Sequence, residues 1–161
     1  RMVARLAIVD PALTDHCPRG VTLASGLDAV TQVIEPFVSL RSTPYTDALA
    51  RPSIAAGLRA LQVLMAGEDP EARDRMAWVS LCGGLALSNA GLGAVHGLAG
   101  VIGGLTGAAH GAICGALLGP VLRANRAAAT GAARERLDEV CAVLGDVLAC
   151  DSDRAPVALQ E

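Results

Sequence analysis

The sequence predicts an all-α fold, a helical bundle with a short residual strand at its N-terminus. Apolar residues recur at helical spacing through most of the chain, and Asp69-Pro70-Glu71 is a strong helix start. No segment after the first ten residues carries the alternation of a second strand. A length of 161 residues suits one domain with a substantial core. With 52% hydrophobic and 18% charged residues, the chain is too apolar for disorder. A net charge of -3 and the absence of a dense Lys/Arg run argue against nucleic acid and against an anionic membrane surface as partners.

Residues 2–10, MVARLAIVD, alternate loosely and read as a strand ending at Asp10-Pro11. A lone strand needs a partner to pair with, and none is evident downstream. Residues 11–20 are a connector. Residues 21–40 follow with Leu23, Leu27, Val30, Ile34, Phe37 and Val38 at helical spacing, although Pro36 threatens the last turn. Further helices are expected over 44–66 and 70–88, in two glycine-rich stretches around His96 and His110, and over 134–148. At 70 the proline sits in the first turn and the acid of Glu71 near the positive end of the helix dipole.

Residues 76–122 contain no Asp, Glu, Lys or Arg, so burial of the whole stretch is expected. Within it Gly103, Gly107, Gly111, Gly115 and Gly119 recur every fourth residue, which on one helix makes a smooth face for close backbone approach. Each glycine also lowers helix propensity by ~1 kcal/mol, so the ladder is prone to break into two helices. A membrane span is disfavoured, because the only Trp, Tyr and Phe lie outside the glycine ladder and leave it without an aromatic belt.

The five cysteines, Cys17, Cys82, Cys114, Cys141 and Cys150, are widely spaced and include no CxxC pair. They read as packing residues in a reducing, cytoplasmic compartment, and none is assigned chemistry. No signal peptide is recognised. Arg1 ahead of Met2 is expected of a processed chain or of a piece of a longer one.

Two of the three histidines, His96 and His110, lie in the uncharged stretch, where each ring nitrogen needs a partner. Asp28 and Gln32 are one turn apart on the 21–40 helix and share a face. Asp28, Gln32, His96 and His110 together offer a carboxylate, an amide oxygen and two imidazoles, a set that Fe(II) or Zn(II) accepts. From spacing alone, the reading of the same residues as core groups satisfied by local hydrogen bonds is the favoured one.

The runs AIVDPALT, SGLDAVTQVIEPFVS, TPYTDALA, LALSNAGLGAVHGLAG and AAHGAICGALLGPVLRAN, in this order and spacing, resemble the helical domain of iron-containing (group III) alcohol dehydrogenases over residues 4–125. The resemblance implies a C-terminal helical domain that holds iron or zinc, joined in the family to an NAD(P)-binding Rossmann-like domain. It implies Asp28 as the carboxylate ligand and His96 and His110 as two imidazole ligands. Gln32 stands where the family has its first His, as a weaker optional ligand. Gly100 stands where many members carry a further His near the nicotinamide, and Pro36 where Ala is usual.

No GxGxxG or similar phosphate loop is present, so NAD(P) is expected only if a nucleotide-binding domain is supplied from elsewhere. Residues 1–161 are accordingly expected to be the metal-binding domain alone, truncated at both ends, with the family's final helices unrecognised in the tail CDSDRAPVALQE. The function implied is alcohol/aldehyde interconversion, with a small alcohol or aldehyde as substrate and a nucleotide-binding domain or a second copy as partner. Two rivals are a degenerate helical module kept for assembly and a metal-dependent non-redox enzyme.

Overall fold

The computed structural model describes residues 5–159, and its regular elements are all helical. A 3-10 turn, Pro11–Thr14, precedes α1 (Arg19–Phe37), α2 (Pro44–Ala66), α3 (Pro70–Ala90), α4 (Ala94–Thr106), α5 (His110–Ala128), α6 (Gly131–Leu148) and the short α7 (Ala155–Ala158). The all-α expectation holds. The strand expected over residues 2–10 does not form in its described part: residues 6–10 belong to no ladder, because no other segment among the described residues offers an edge, and residues 2–4 lie outside the described residues.

Local chemistry sets the helix ends. Thr43 and Thr46 form a reciprocal capping box ahead of α2, and Asp69 accepts the Ala72 N–H at 2.7 Å ahead of α3, with Pro44 and Pro70 in the first turns. Pro36 does limit α1, which ends at Phe37 rather than at residue 40. The glycine ladder breaks as its composition suggests. Gly107 takes a left-handed φ of 70° and closes α4, and α5 begins three residues later.

Helix α1 is the centre of the fold, packed against α2, α3 and α5. Its Val30, Val33, Ile34 and Phe37 are buried with Ile54 and Leu58 of α2, Val79 of α3, Leu118 and Leu122 of α5, and Val140 and Leu144 of α6. Each such side chain contributes about 1.5–3 kcal/mol of burial free energy. Arg136 of α6 ties this core together from its rim. It donates to both oxygens of Asp47 at 2.9 and 2.6 Å and to the Phe37 carbonyl at 2.7 Å, and its guanidinium lies 4.9 Å from the centre of the Phe37 ring.

Burial of the whole uncharged stretch is not observed. Only Val95 and Ala99 of α4 are buried, while Leu98, Val101 and Leu105 are exposed. The helix lies against α5 alone among the larger contacts, so one face has nothing from the described residues to cover it. Among the described residues no single helix is long and apolar enough to cross a membrane; α3 and α4 together have the apolar length but bend by 104°. The tail, in which no helix was recognised from the sequence, contains α7, with Ala155 fully buried against α5 and α6.

Candidate metal centre

Three helices deliver the polar groups of the centre. On α1, Asp28, Gln32 and Glu35 fall at i, i+4 and i+7, one stripe that holds the acidic and amide side chains of the helix. On α4, His96 lies in the first turn, and on α5, His110 is the first residue. The approach of α1 to α5 is set by main chain against main chain. A Cβ built on Gly111 would stand 2.0 Å from the Ala24 carbonyl oxygen, so only glycine lets Asp28 come this near to His110.

Asp28 Oδ1 is 3.1 Å from His96 Nε2 and 3.8 Å from His110 Nε2. The two imidazole centres are 5.5 Å apart. The structure thus brings together Asp28, His96 and His110, drawn from positions 28, 96 and 110 of the sequence. Gln32 lies beside them, and its Nε2 donates to Asp28 Oδ2 at 3.0 Å, so the amide presents an N–H to the carboxylate.

Two members of the centre were not singled out from the sequence. Glu35 Oε2 is 2.7 Å from His96 Nδ1, and Oε1 accepts the Val95 N–H at 2.7 Å, so one buried carboxylate fixes the imidazole and caps the start of α4. Its place on the Asp28–Gln32 stripe was the available signal. Cys114 is the other. It is fully buried one turn after His110, and ligand atoms of Asp28, His96, His110 and Cys114 all lie within 4.8 Å of one another. The i, i+4 spacing from His110 was the signal, outweighed by the ordinary packing role of buried cysteine.

The electrostatics follow from this crowding. Burial opposes a charge on His96, but hydrogen bonds to Asp28 and Glu35 and the negative charge of both outweigh it and push the imidazole up to about 9. Burial likewise opposes charge on Asp28 and Glu35, and their contacts with His96 bring both below their ordinary values. Burial, followed by the Asp28 charge, pushes the Cys114 thiol up to about 12.

The same donors suit a divalent cation. Around a tetrahedral ion at ~2.1 Å, neighbouring donors are about 3.4 Å apart, and the 3.1 and 3.8 Å separations of Asp28 from the two histidines bracket that value. His96 is already oriented for it, since Glu35 engages Nδ1 and leaves Nε2 as the nitrogen facing Asp28. A groove of about 550 Å³, walled by Val21, Ala24, Ala109 and Gly111, reaches Asp28, the one donor of the centre that lines it. A separate cleft of about 470 Å³ between α1 and α3 contains none of the four donors.

Residues 22–160 match the Fe-containing alcohol dehydrogenase family, C-terminal part. The chain belongs to that family. It is 36% identical over 166 aligned positions to an NAD-dependent methanol dehydrogenase of Bacillus methanolicus, covering 99% of this chain and 42% of the relative. It is 44% identical over 103 positions to a long-chain-alcohol dehydrogenase 1 of Geobacillus thermodenitrificans, covering 63% and 26%. The iron-containing alcohol dehydrogenase structure from Thermococcus thioreducens superimposes with a TM-score of 0.82 at 28% identity, over 96% of this chain and 39% of that one. The chain therefore spans about two fifths or less of the relatives it matches. The match reaches residue 160, so the tail that sequence reading left unassigned, α7 included, lies within the family's C-terminal part.

Proposed function

We propose that this chain is the metal-holding helical part of an iron-type, NAD(P)-dependent alcohol dehydrogenase that interconverts small alcohols and aldehydes. The convergence of Asp28, His96 and His110 in a member of this family carries the reading. These three residues would hold the divalent ion, iron or zinc, with Gln32 steadying Asp28 through its amide N–H. When bound, such an ion acts as a Lewis acid toward the alcohol oxygen or the carbonyl oxygen.

The chain's own residues account for the rest of the centre. Glu35 keeps the Nδ1 proton of His96 and so directs Nε2 inward, and the groove beside Asp28 and Ala109 admits a small substrate from outside. The hydride acceptor is a nicotinamide, which a nucleotide-binding domain must position. The exposed Leu98, Val101 and Leu105 of α4 support that domain as the cover of this face. Gly100 is open, with nothing within 4 Å of a Cβ built there, so proton transfer has no side chain to use at that position. The five cysteines are all free, which suits the cytoplasm.

The test is metal content and turnover together. Protein purified without chelator should carry iron or zinc that His96→Ala/His110→Ala lacks, and it should reduce NAD(P) with primary alcohols when joined to its nucleotide-binding domain. Equal, trace metal in both forms would sink the reading.

A further inference from the structure

We infer that Cys114 is the fourth protein ligand of the cation, bound through Sγ as a thiolate on the buried side of the centre, and that this donor makes the site prefer zinc over iron(II). The inference rests on the metal-holding reading above and adds a ligand that this reading does not require.

Geometry carries it. His110 and Cys114 are one turn apart on α5, so their side chains point from the same face toward Asp28 and His96. Cys114 Sγ lies within 4.8 Å of donor atoms on all three of the other residues. Among the described residues this is the single group of its kind, and Cys114 is its only sulfur. Gln32 would have to coordinate through Oε1, but it turns Nε2 toward Asp28 and places Oε1 beside Gly83 of α3.

The burial pattern divides the roles. The His110 side chain is 48% exposed, whereas Cys114 is wholly buried. Sulfur would therefore hold the ion from the buried side, and a substrate oxygen would reach it from the exposed side, where His110 lies. Two imidazole nitrogens, one carboxylate oxygen and one thiolate suit zinc, since a soft sulfur donor favours it over harder-ligand iron(II) sites. Loading is an acid–base exchange with no change of oxidation state. The S–H bond of Cys114 breaks, a sulfur–cation bond forms, and the proton leaves to solvent. The cation's own charge supplies the driving force that the buried thiol lacks without it.

Cobalt(II) and zinc(II) are the probes. Wild-type protein loaded with one Co(II) per chain should show an intense near-ultraviolet thiolate-to-cobalt charge-transfer band. Cys114→Ser should bind Co(II) without that band and hold Zn(II) about 100-fold more weakly or worse, since even losing a partner of a ligand costs 10–100-fold. Cys141→Ser should keep the band. X-ray absorption on zinc-loaded wild type does not depend on the folding of any variant, and it should find a sulfur neighbour at about 2.3 Å from the ion. Metal bound without a sulfur neighbour, or a band that survives in Cys114→Ser, would overturn the inference and leave the metal-holding reading intact. Failure of wild type to bind either ion would overturn both.

Discussion

Glu35 and His96 form a carboxylate–imidazole pair at 2.7 Å across α1 and α4, and the same carboxylate receives the first turn of α4 through the Val95 N–H. One side chain thus fixes both the ring orientation of a proposed ligand and the helix that carries it. Glu35→Gln keeps the size of the group and removes its charge. Cation affinity should fall 10–100-fold with little change in helix content, as measured by competition against a chromophoric chelator. Unchanged affinity would mean that His96 is oriented by something else.

Gly111 faces the Ala24 carbonyl, where an added methyl would come within 2.0 Å of the oxygen. Backbone cannot swing aside as a side chain does. Gly111→Ala should destabilise the fold by about 3 kcal/mol, at the upper end of overpacking costs, read as a lower urea midpoint. A midpoint equal to wild type would show that α1 and α5 part easily.

Arg136 joins α6 to Asp47 and to the end of α1 through Phe37. Arg136→Met retains much of the aliphatic stem but leaves Asp47 without this partner. The expected loss is about 2 kcal/mol, or a melting temperature lower by about 4–8 °C for a chain of this size. A shift below one degree would assign the pair to the weak surface class.

Arg73 is buried between Glu68, Thr22 and the Cys17 carbonyl. Its hydrogen bond to Glu68 holds that carboxyl at about 2, below its ordinary 4.5. A carboxyl depressed on folding stabilises the fold fully above its unfolded value, and the contribution is lost as pH falls through the folded one. Wild type should therefore melt above Glu68→Gln at neutral pH, with the difference shrinking as pH falls from about 4.5 toward 2. A difference that persists unchanged to low pH would make the contact one of shape rather than charge.

Much of the fold was legible because its signals are local. Asp69 with Pro70 marks the start of α3, Pro36 marks the end of α1, and the glycine ladder marks the break between α4 and α5. The convergence of Asp28, His96 and His110 was legible through the order of the family-like runs, since spacing alone favoured a core role. What was not legible depends on contacts between distant segments. Glu35 stood in a turn that Pro36 made doubtful, and Cys114 looked like any small apolar filler. Residues 6–10 had strand character and no edge to join, and the exposed face of α4 cannot be told from a buried one by composition. A short helix such as α7 has too few residues to show a period.

The contact of Gly111 with Ala24 makes the distance between α1 and α5 a main-chain ruler, independent of which side chains the two helices carry at the centre. Side chains at positions 32 and 114 can therefore be exchanged while the frame that aims Asp28 and His110 stays in place. A change of donor at the proposed centre would not require the fold to follow.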